Sequence, residues 1–408
     1  MTGKINKARE ALTEMFTKSL DAEKLPWNQP WVEKIPGFGK HLNPITGTRY
    51  RGINAAILWL VSMEKQYPDP RWCTYKQAQE KGWQVKKGSK GCHIEFWCVY
   101  DVDEKKKLSL AEASRLIAKN PEKEKSLKPC CHVYTVFNGS QIDGIPELAA
   151  AHHIPPVFQN ELLNRFSQRY MEAESIKLLE GHSAYYSPTT DSITMPPKGD
   201  FVSEIAYYDT LYHECAHSTG VAKRLNRGLE VKPTKEEYAI EELRAEIAGA
   251  FLLSETGAKV PESISENNRA YVQSWAEGVK KDPTILFQAI KAANSICDFV
   301  VERGQLEGVR EEIREEELID LGGAIHDLAL EYNSESVPAG AREDMARYVA
   351  ENIRQGDTMG LHNLLEDIKT FGGTEEMMSK AGSLLDRLSA YEPSEEVEIE
   401  DREEDMEL

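Results

Sequence analysis

The sequence predicts an α+β chain: a small N-terminal region of mixed α/β character, a mostly helical middle, and an acidic helical C-terminal extension. Three observations lead there. Short aromatic and β-branched runs dominate before residue 140, and helical spacing of apolar residues dominates after 150. Charge is partitioned: residues 1–100 hold 16 Lys/Arg and 9 Asp/Glu, whereas residues 301–408 hold 10 and 30. Tryptophan follows the basic end, with Trp27, Trp31, Trp59, Trp72, Trp83 and Trp97, six of seven, in the first hundred residues.

Taken in order, the first stretch opens with an amphipathic helix on which Ala11, Leu12, Met15, Phe16 and Leu20 recur at helical spacing. Pro26, Pro30, Pro36, Gly37 and Gly39 then enforce a loop. A second helix is expected from Ile53 to Met63, followed by strands at Trp83–Val85 and Cys92–Tyr100. Lysine and glutamate runs make Asp101–Lys128 an exposed insertion or hairpin, and Tyr134–Phe137 resumes the strand pattern. Residues 150–305 read as helical apart from a β-like piece at Ala184–Met195. Acidic helices follow, and the final SEEVEIEDREEDMEL is too charged to bury a core. The expected divisions are 1–145, 150–305, 306–393 and a disordered acidic tail over 394–408.

At 408 residues, 40% hydrophobic and 29% charged, the chain is long enough for two or three domains and apolar enough to fold. No apolar run long enough to span a bilayer is visible, and MTGKINKARE lacks the apolar stretch of a signal peptide, so no membrane is expected. Seven irregularly spaced cysteines point to a reducing, cytoplasmic compartment. A formal charge of −19 and a pI near 5.1 would exclude a nucleic-acid partner if charge were uniform. It is not uniform, and the first hundred residues carry a net +7.

The sharpest chemical signal is His213-Glu214-Cys215-Ala216-His217. On a helix, residues four apart share a face, so both imidazoles can meet one ion. Glu214 is placed to act as general base on the metal's water. The plain alternative is a solvated helix that happens to carry two histidines. A hydrolytic site also needs a third protein ligand, and the helical run Tyr238–Leu252 supplies acids. Glu242 is the expected third ligand, with Glu246, on the same face, accepting from a ligating histidine; Glu241 and Glu246 are rivals for the ligand role. Gly249 continues that face and permits close approach of another helix, while Leu243, Ile247 and Phe251 form the adjoining apolar stripe. The ion is expected to be zinc, or another divalent metal such as manganese. Cys92-His93 with Cys98, and Cys130-Cys131-His132, lack the spacing of a structural zinc site and read as buried strand cysteines.

The basic end carries the second signal. Single-strand binders combine cationic grooves with rings on which bases stack. Trp27, Arg49, Tyr50, Arg51, Trp72, Tyr75, Lys76, Lys86, Lys87 and Lys90 supply both. In TGTRYRGIN glycines flank two arginines and a tyrosine and let backbone approach a phosphate, and VKKGSKG reads as a basic hairpin turn. At least half of the tryptophans are expected to build the core instead, Trp59 and Trp97 above all.

TGTRYRGIN and RWCTYKQAQEKGWQVKKGSKG resemble the N-terminal domain of the ArdC-type antirestriction proteins. VYTVFNGSQIDGIP, AYYSPTTDSITMP and YHECAHSTG resemble successive landmarks of that family's metallopeptidase domain, and EELRAEIAGAFL and Tyr271–Asp298 its closing helices. The resemblance spans about residues 1–300. It implies a single-stranded-DNA-binding domain joined to a zincin-like domain, with His213, His217 and a downstream glutamate as ligands and Glu214 as base. It implies carriage on plasmids and other mobile elements, protection of incoming DNA, and host restriction or other defence proteins as partners. Two alternatives stand beside it: a DNA-binding protein whose zincin domain does not turn over, and a DNA-dependent protease of DNA–protein repair. The acidic C-terminal hundred residues depart from the family pattern. They read either as a solvated appendage or as a polyanion mimic that engages a basic partner or the protein's own N-terminal domain.

Overall fold

The computed structural model describes residues 6–21, 40–148, 156–229, 231, 233–258, 275–333, 341–389 and 391. Trp27, Trp31 and the acidic tail lie outside the described residues. The chain forms two compact units, one of Met1–Pro146 with Arg169–Gly304 and one of Glu147–Gln168 with Gln305–Leu408.

The first unit begins with α1 (Lys7–Asp21), which buries Ala8, Leu12, Phe16 and Leu20, and α2 (Gly52–Lys65), which is buried over Ala55–Leu60. A four-stranded antiparallel sheet follows, in the order β1 (Trp72–Thr74), β5 (Leu127–Asn138), β3 (Cys92–Asp101), β4 (Lys106–Leu108). Its long central pair runs in register from Cys92 opposite Val136 to Asp101 opposite Leu127. Beside it, α3 (Tyr75–Glu80) and the pair β2 (Gln84–Val85) and β6 (Ile142–Asp143) enclose Cys73, Ala78, Val85 and Ile142. The stretch 101–128, expected as an exposed insertion or hairpin, turns back as a hairpin of β3 with β4 and continues into ordered structure. Ser109 and Glu112 close a capping box that starts α4 (Leu110–Lys119), and Leu108, Ala113 and Leu127 pack on Val99.

After α5 (Pro156–Ala173) come β7 (Lys177–Glu180), β8 (Tyr185–Ser187) and β9 (Ser192–Met195). They form a mixed sheet of order β7-β9-β8, with β9 parallel to β7 and antiparallel to β8. Two helices then carry the chemistry, α6 (Glu204–Ser218) and α7 (Lys235–Glu255), and α8 (Thr284–Gly304) packs behind α7. The region expected as a domain over 1–145 shares this unit with residues 169–304 of the region expected over 150–305. The Trp59 ring on α2 meets Phe251 on α7 edge-on at 5.8 Å, the Arg9 guanidinium lies 4.8 Å over Phe287, and Lys280 pairs with Asp21 at 2.5 Å. Among the described residues α8 alone has the length and mean hydropathy (1.3) of a membrane span. Its apolar side (Leu286, Ile290, Ala293, Ile296, Val300) is buried in the unit, as in a core helix.

The second unit is a helical bundle. The helices α9 (Leu306–Asn333), α10 (Ala341–Arg354), α11 (Met359–Phe371) and α12 (Glu375–Ser389) surround Leu321, Ile325, Leu328, Ile353, Leu365, Ile368 and Leu388. Leu321, Ile325 and Leu328 recur at helical spacing on α9, and all three are buried. Gly322 lets α9 and α10 touch, since a methyl group there would collide with the Ala346 carbonyl. Residues 147–168 belong to this bundle, and Arg165 grips Glu316 with two hydrogen bonds of 2.8 and 2.7 Å. The bundle's acids are answered by arginines on neighbouring helices, Asp327 by Arg342 and Asp320 by Arg387.

The contact of α6 with α7 is close at Gly249. A methyl group at Gly249 would lie 3.3 Å from the His213 nitrogen and 3.5 Å from its Cα. Gly249→Val forces the helices apart and is expected to cost ~1–3 kcal/mol. Urea unfolding checks this, with a lower midpoint at unchanged slope as the expected outcome. Gly249→Ala should cost less, because a few tenths of an ångström of yielding accommodates its methyl.

Candidate metal centre and basic face

Helix α6 starts where Ser203 accepts from the Ala206 amide, and α7 where Thr234 and Glu237 form a capping box. With these starts fixed, α6 buries Tyr208, Leu211, Tyr212 and Cys215 and turns His213 and His217 away from that core. Helix α7 buries Leu243, Ile247 and Phe251, the stripe expected from its spacing, and carries Glu241, Glu242 and Glu246 to the histidines.

The two imidazole Nε2 atoms are 3.1 Å apart. Glu242 lies between them, Oε2 at 3.6 Å from His213 Nε2 and Oε1 at 3.3 Å from His217 Nε2. One ligand atom from each of the three falls within 4.8 Å of the others. A tetrahedral ion with bonds of ~2.0–2.2 Å needs donors roughly 3.3–3.5 Å apart, so the set fits a divalent metal. Two imidazoles, one carboxylate and an open side are the chemistry of a catalytic rather than a structural site. Glu214 lines the same cleft, which has a volume of about 840 Å³.

Each histidine offers its other nitrogen to a second glutamate. His213 Nδ1 is 3.5 Å from Glu246 Oε2. His217 Nδ1 is 3.5 Å from Glu241 Oε1. Sequence reasoning had Glu241 as a rival ligand and missed this pairing, because residues 241 and 242 point differently only once the helix is docked. Asp209, one turn before His213, was also missed, although its i, i+4 spacing to that histidine was available as a signal.

Charge is concentrated here. Burial alone would lower both histidines, but hydrogen bonds to Glu242 and Glu246 raise His213 well above the ordinary 6.5, and those to Glu241 and Glu242 raise His217. Burial would raise the glutamates, yet His217 and Arg227 hold Glu241 down to about 2, and the two histidines hold Glu242 well below the carboxylate range. Asp209 goes the other way, to about 7, through removal from water and the nearby Glu246 charge. His213, His217 and Glu242 form the only three-residue cluster of potential ligands among the described residues. Cys92, Cys98 and Cys215 are buried and all seven cysteines are free.

On the basic face, Arg49, Arg51, Tyr75, Lys76, Lys86, Lys87 and Lys90 are exposed. Lys76 leans toward Glu80 at 3.6 Å, and Lys86 donates to the Ser140 carbonyl at 2.9 Å. Trp72 is a correction to the expected stacking set. It is 1% exposed, its indole donating to His41 Nδ1 at 3.2 Å, because β1 is pressed between the sheet and residues 41–42. Tyr50 is half-buried, its hydroxyl donating to the Trp72 carbonyl at 3.0 Å. Trp59 is core as expected, but Trp97 is not. It is 40% exposed on β3, its indole donating to Glu95 at 2.8 Å and its ring 5.9 Å from the Arg9 guanidinium.

Residues 6–137 match the model of the N-terminal domain of the anti-restriction factor ArdC, and residues 167–292 match that of a zincin-like metallopeptidase. Two DNA primases TraC of Escherichia coli are 37% and 38% identical over 72% of this chain, which spans only 27% and 20% of their own length. An uncharacterised protein of Sinorhizobium fredii, y4eC, is 30% identical over 75% of this chain and 94% of its own. The crystal structures of the antirestriction ArdC protein from the R388 plasmid, metal-free and Mn(II)-bound, are 32% identical with a TM-score of 0.55. The metal-free one is matched over 74% of this chain and 98% of its own. With both modules in the same order and an ArdC structure matched over nearly its whole length, this chain belongs to the family of ArdC antirestriction proteins.

Proposed function

We propose that this chain is a single-stranded-DNA-binding antirestriction protein of a mobile genetic element, carrying a zinc-type hydrolytic centre directed at peptide bonds. The observation that carries the reading is the convergence of His213, His217 and Glu242 in a cleft that Glu214 also lines. The metal, when bound, polarises a peptide carbonyl and acidifies a water. Glu214 takes the proton of the attacking water and delivers it to the departing amine. Glu241 and Glu246 hold the imidazole rings with their Nε2 atoms turned inward. Zinc fits the borderline donor set, and the Mn(II)-bound ArdC structure makes manganese the first competitor.

Glu214→Gln should retain metal and DNA binding and lower peptide hydrolysis by ~10²–10⁴. Used as bait with and without single-stranded DNA, the same variant should retain the peptide substrate. If protection of DNA in cells survives Glu214→Gln undiminished, protection does not proceed by proteolysis.

The raised histidines set a pH dependence. Their contribution to the stability of the metal-free protein is full below about pH 6.5 and is lost as pH rises through the elevated folded-state values. Metal competes with those protons, so affinity should climb over the same window with proton release. Calorimetric titration in buffers of different ionisation enthalpy measures that release.

For DNA, the exposed cations and Trp97 support a groove that follows the backbone and stacks bases. Binding of single strands by the full chain should weaken steeply with salt, and each lost phosphate contact, for instance in Lys87→Ala or Lys90→Ala, should flatten the log–log slope by about 0.7. Trp97→Ala should weaken binding by ~1–3 kcal/mol. Trp72→Ala should instead cost ~3–5 kcal/mol of fold stability. Fluorescence anisotropy with a labelled oligonucleotide and urea unfolding separate the two outcomes.

A further inference from the structure

Beyond the two helices that hold the centre, one side chain grips one of the two adjacent glutamates of α7. Arg227 sits in the loop after α6, outside both the histidine motif and the acidic helix. Its guanidinium forks onto Glu241, Nη2 donating to Oε1 at 2.7 Å and Nε to Oε2 at 3.2 Å. The remaining donors return to α6: Nη1 to Thr219 Oγ1 at 2.6 Å and Nη2 to the Ala216 carbonyl at 2.9 Å. The backbone holds the residue in place, since the Arg227 amide donates to the Gly220 carbonyl at 2.7 Å. Gly220 leaves the room required. A methyl group there would collide with Leu229 and meet Arg227 Nη2 at 3.1 Å.

Glu241 is buried with its Oε1 3.5 Å from His217 Nδ1, and Glu242 is the next residue. A buried carboxylate without a cation is costly and moves to the nearest one available. Arg244 Nη1 also reaches Glu241 Oε2, at 3.3 Å, but with one hydrogen bond from a less buried side chain; the other cation in this cleft would be the metal. We propose that Arg227 is a positioning residue that locks Glu241 as the acceptor for His217 and thereby reserves the carboxylate position of the metal for Glu242. The inference rests on His213, His217 and Glu242 being the ligands. Lysine cannot substitute fully, because a point charge lacks the fork that fixes both carboxylate oxygens.

The test uses the full chain, stripped by chelator and titrated with Co(II), whose visible absorption reports coordination number and geometry. Wild type should bind Co(II), and Arg227→Met should bind ~10-fold or more weakly with a changed spectrum. Arg227→Lys should fall between, and it carries the test should Arg227→Met lose its helical circular dichroism. The discriminating variant is Arg227→Met/Glu241→Gln. Removing the competing charge while keeping an amide oxygen for His217 should restore the wild-type spectrum and much of the affinity. A merely structural Arg227 predicts no such rescue. The proposal is overturned if the single variants keep wild-type affinity and spectrum, or if the double variant is no better than Arg227→Met. Failure of the wild type to bind Co(II) overturns the ligand set itself, and this inference with it.

Discussion

Gly249 allows α7 to approach α6 until the turn of one helix that carries Glu242 and Glu246 faces the turn of the other that carries His213 and His217. Every feature of the centre depends on that spacing. The reach of a glutamate side chain is fixed, and its carboxylate meets imidazoles on a neighbouring helix only when the backbones are close. The remaining architecture enforces the approach from behind, with Tyr208, Leu211 and Tyr212 buried on α6, and Leu243, Ile247 and Phe251 on α7.

The centre holds several acids within a few ångströms, and they are kept from competing by being given separate partners. Glu242 lies between both Nε2 atoms, Glu246 takes one Nδ1, and Glu241 takes the other while held by an arginine. Asp209, set beside Glu246, is pushed toward neutrality. Mutual repulsion is thereby converted into an orienting framework, in which each ring nitrogen has one acceptor.

Much of this was legible before any coordinates. The i, i+4 spacing of His213 and His217, the face shared by Glu242, Glu246 and Gly249, and the apolar stripe beside them are local properties of a helix, and they survived unchanged. What could not be read was orientation that depends on the neighbour. Glu241 and Glu242 are chemically identical in sequence, and the arginines that hold Glu241, Arg227 across a loop and Arg244 one turn on, meet it only in the folded chain. The tryptophans failed for a related reason. Trp72 and Trp97 both sit on strands, and which side of a strand is covered is settled by elements distant in the chain. The charged stretch 101–128 hid its small core for want of long apolar runs, since Val99, Leu108, Ala113 and Leu127 are spread over 29 residues.

The edge-on contact of Trp59 with Phe251 has a consequence for how the molecule responds to its ligands. Phe251 belongs to the same rigid helix as Glu242, and Trp59 to the helix that underlies the basic sheet. The two regions therefore share one apolar interior, and they melt together. An ion held at one hundred times its dissociation constant adds about 2.7 kcal/mol to whatever unfolds with its site. In this unit that includes the strands bearing Trp97 and the neighbouring lysine-rich turn. A metal bound at the proposed centre would thus set the thermal endurance of the face proposed to meet nucleic acid, with no contact between the two required.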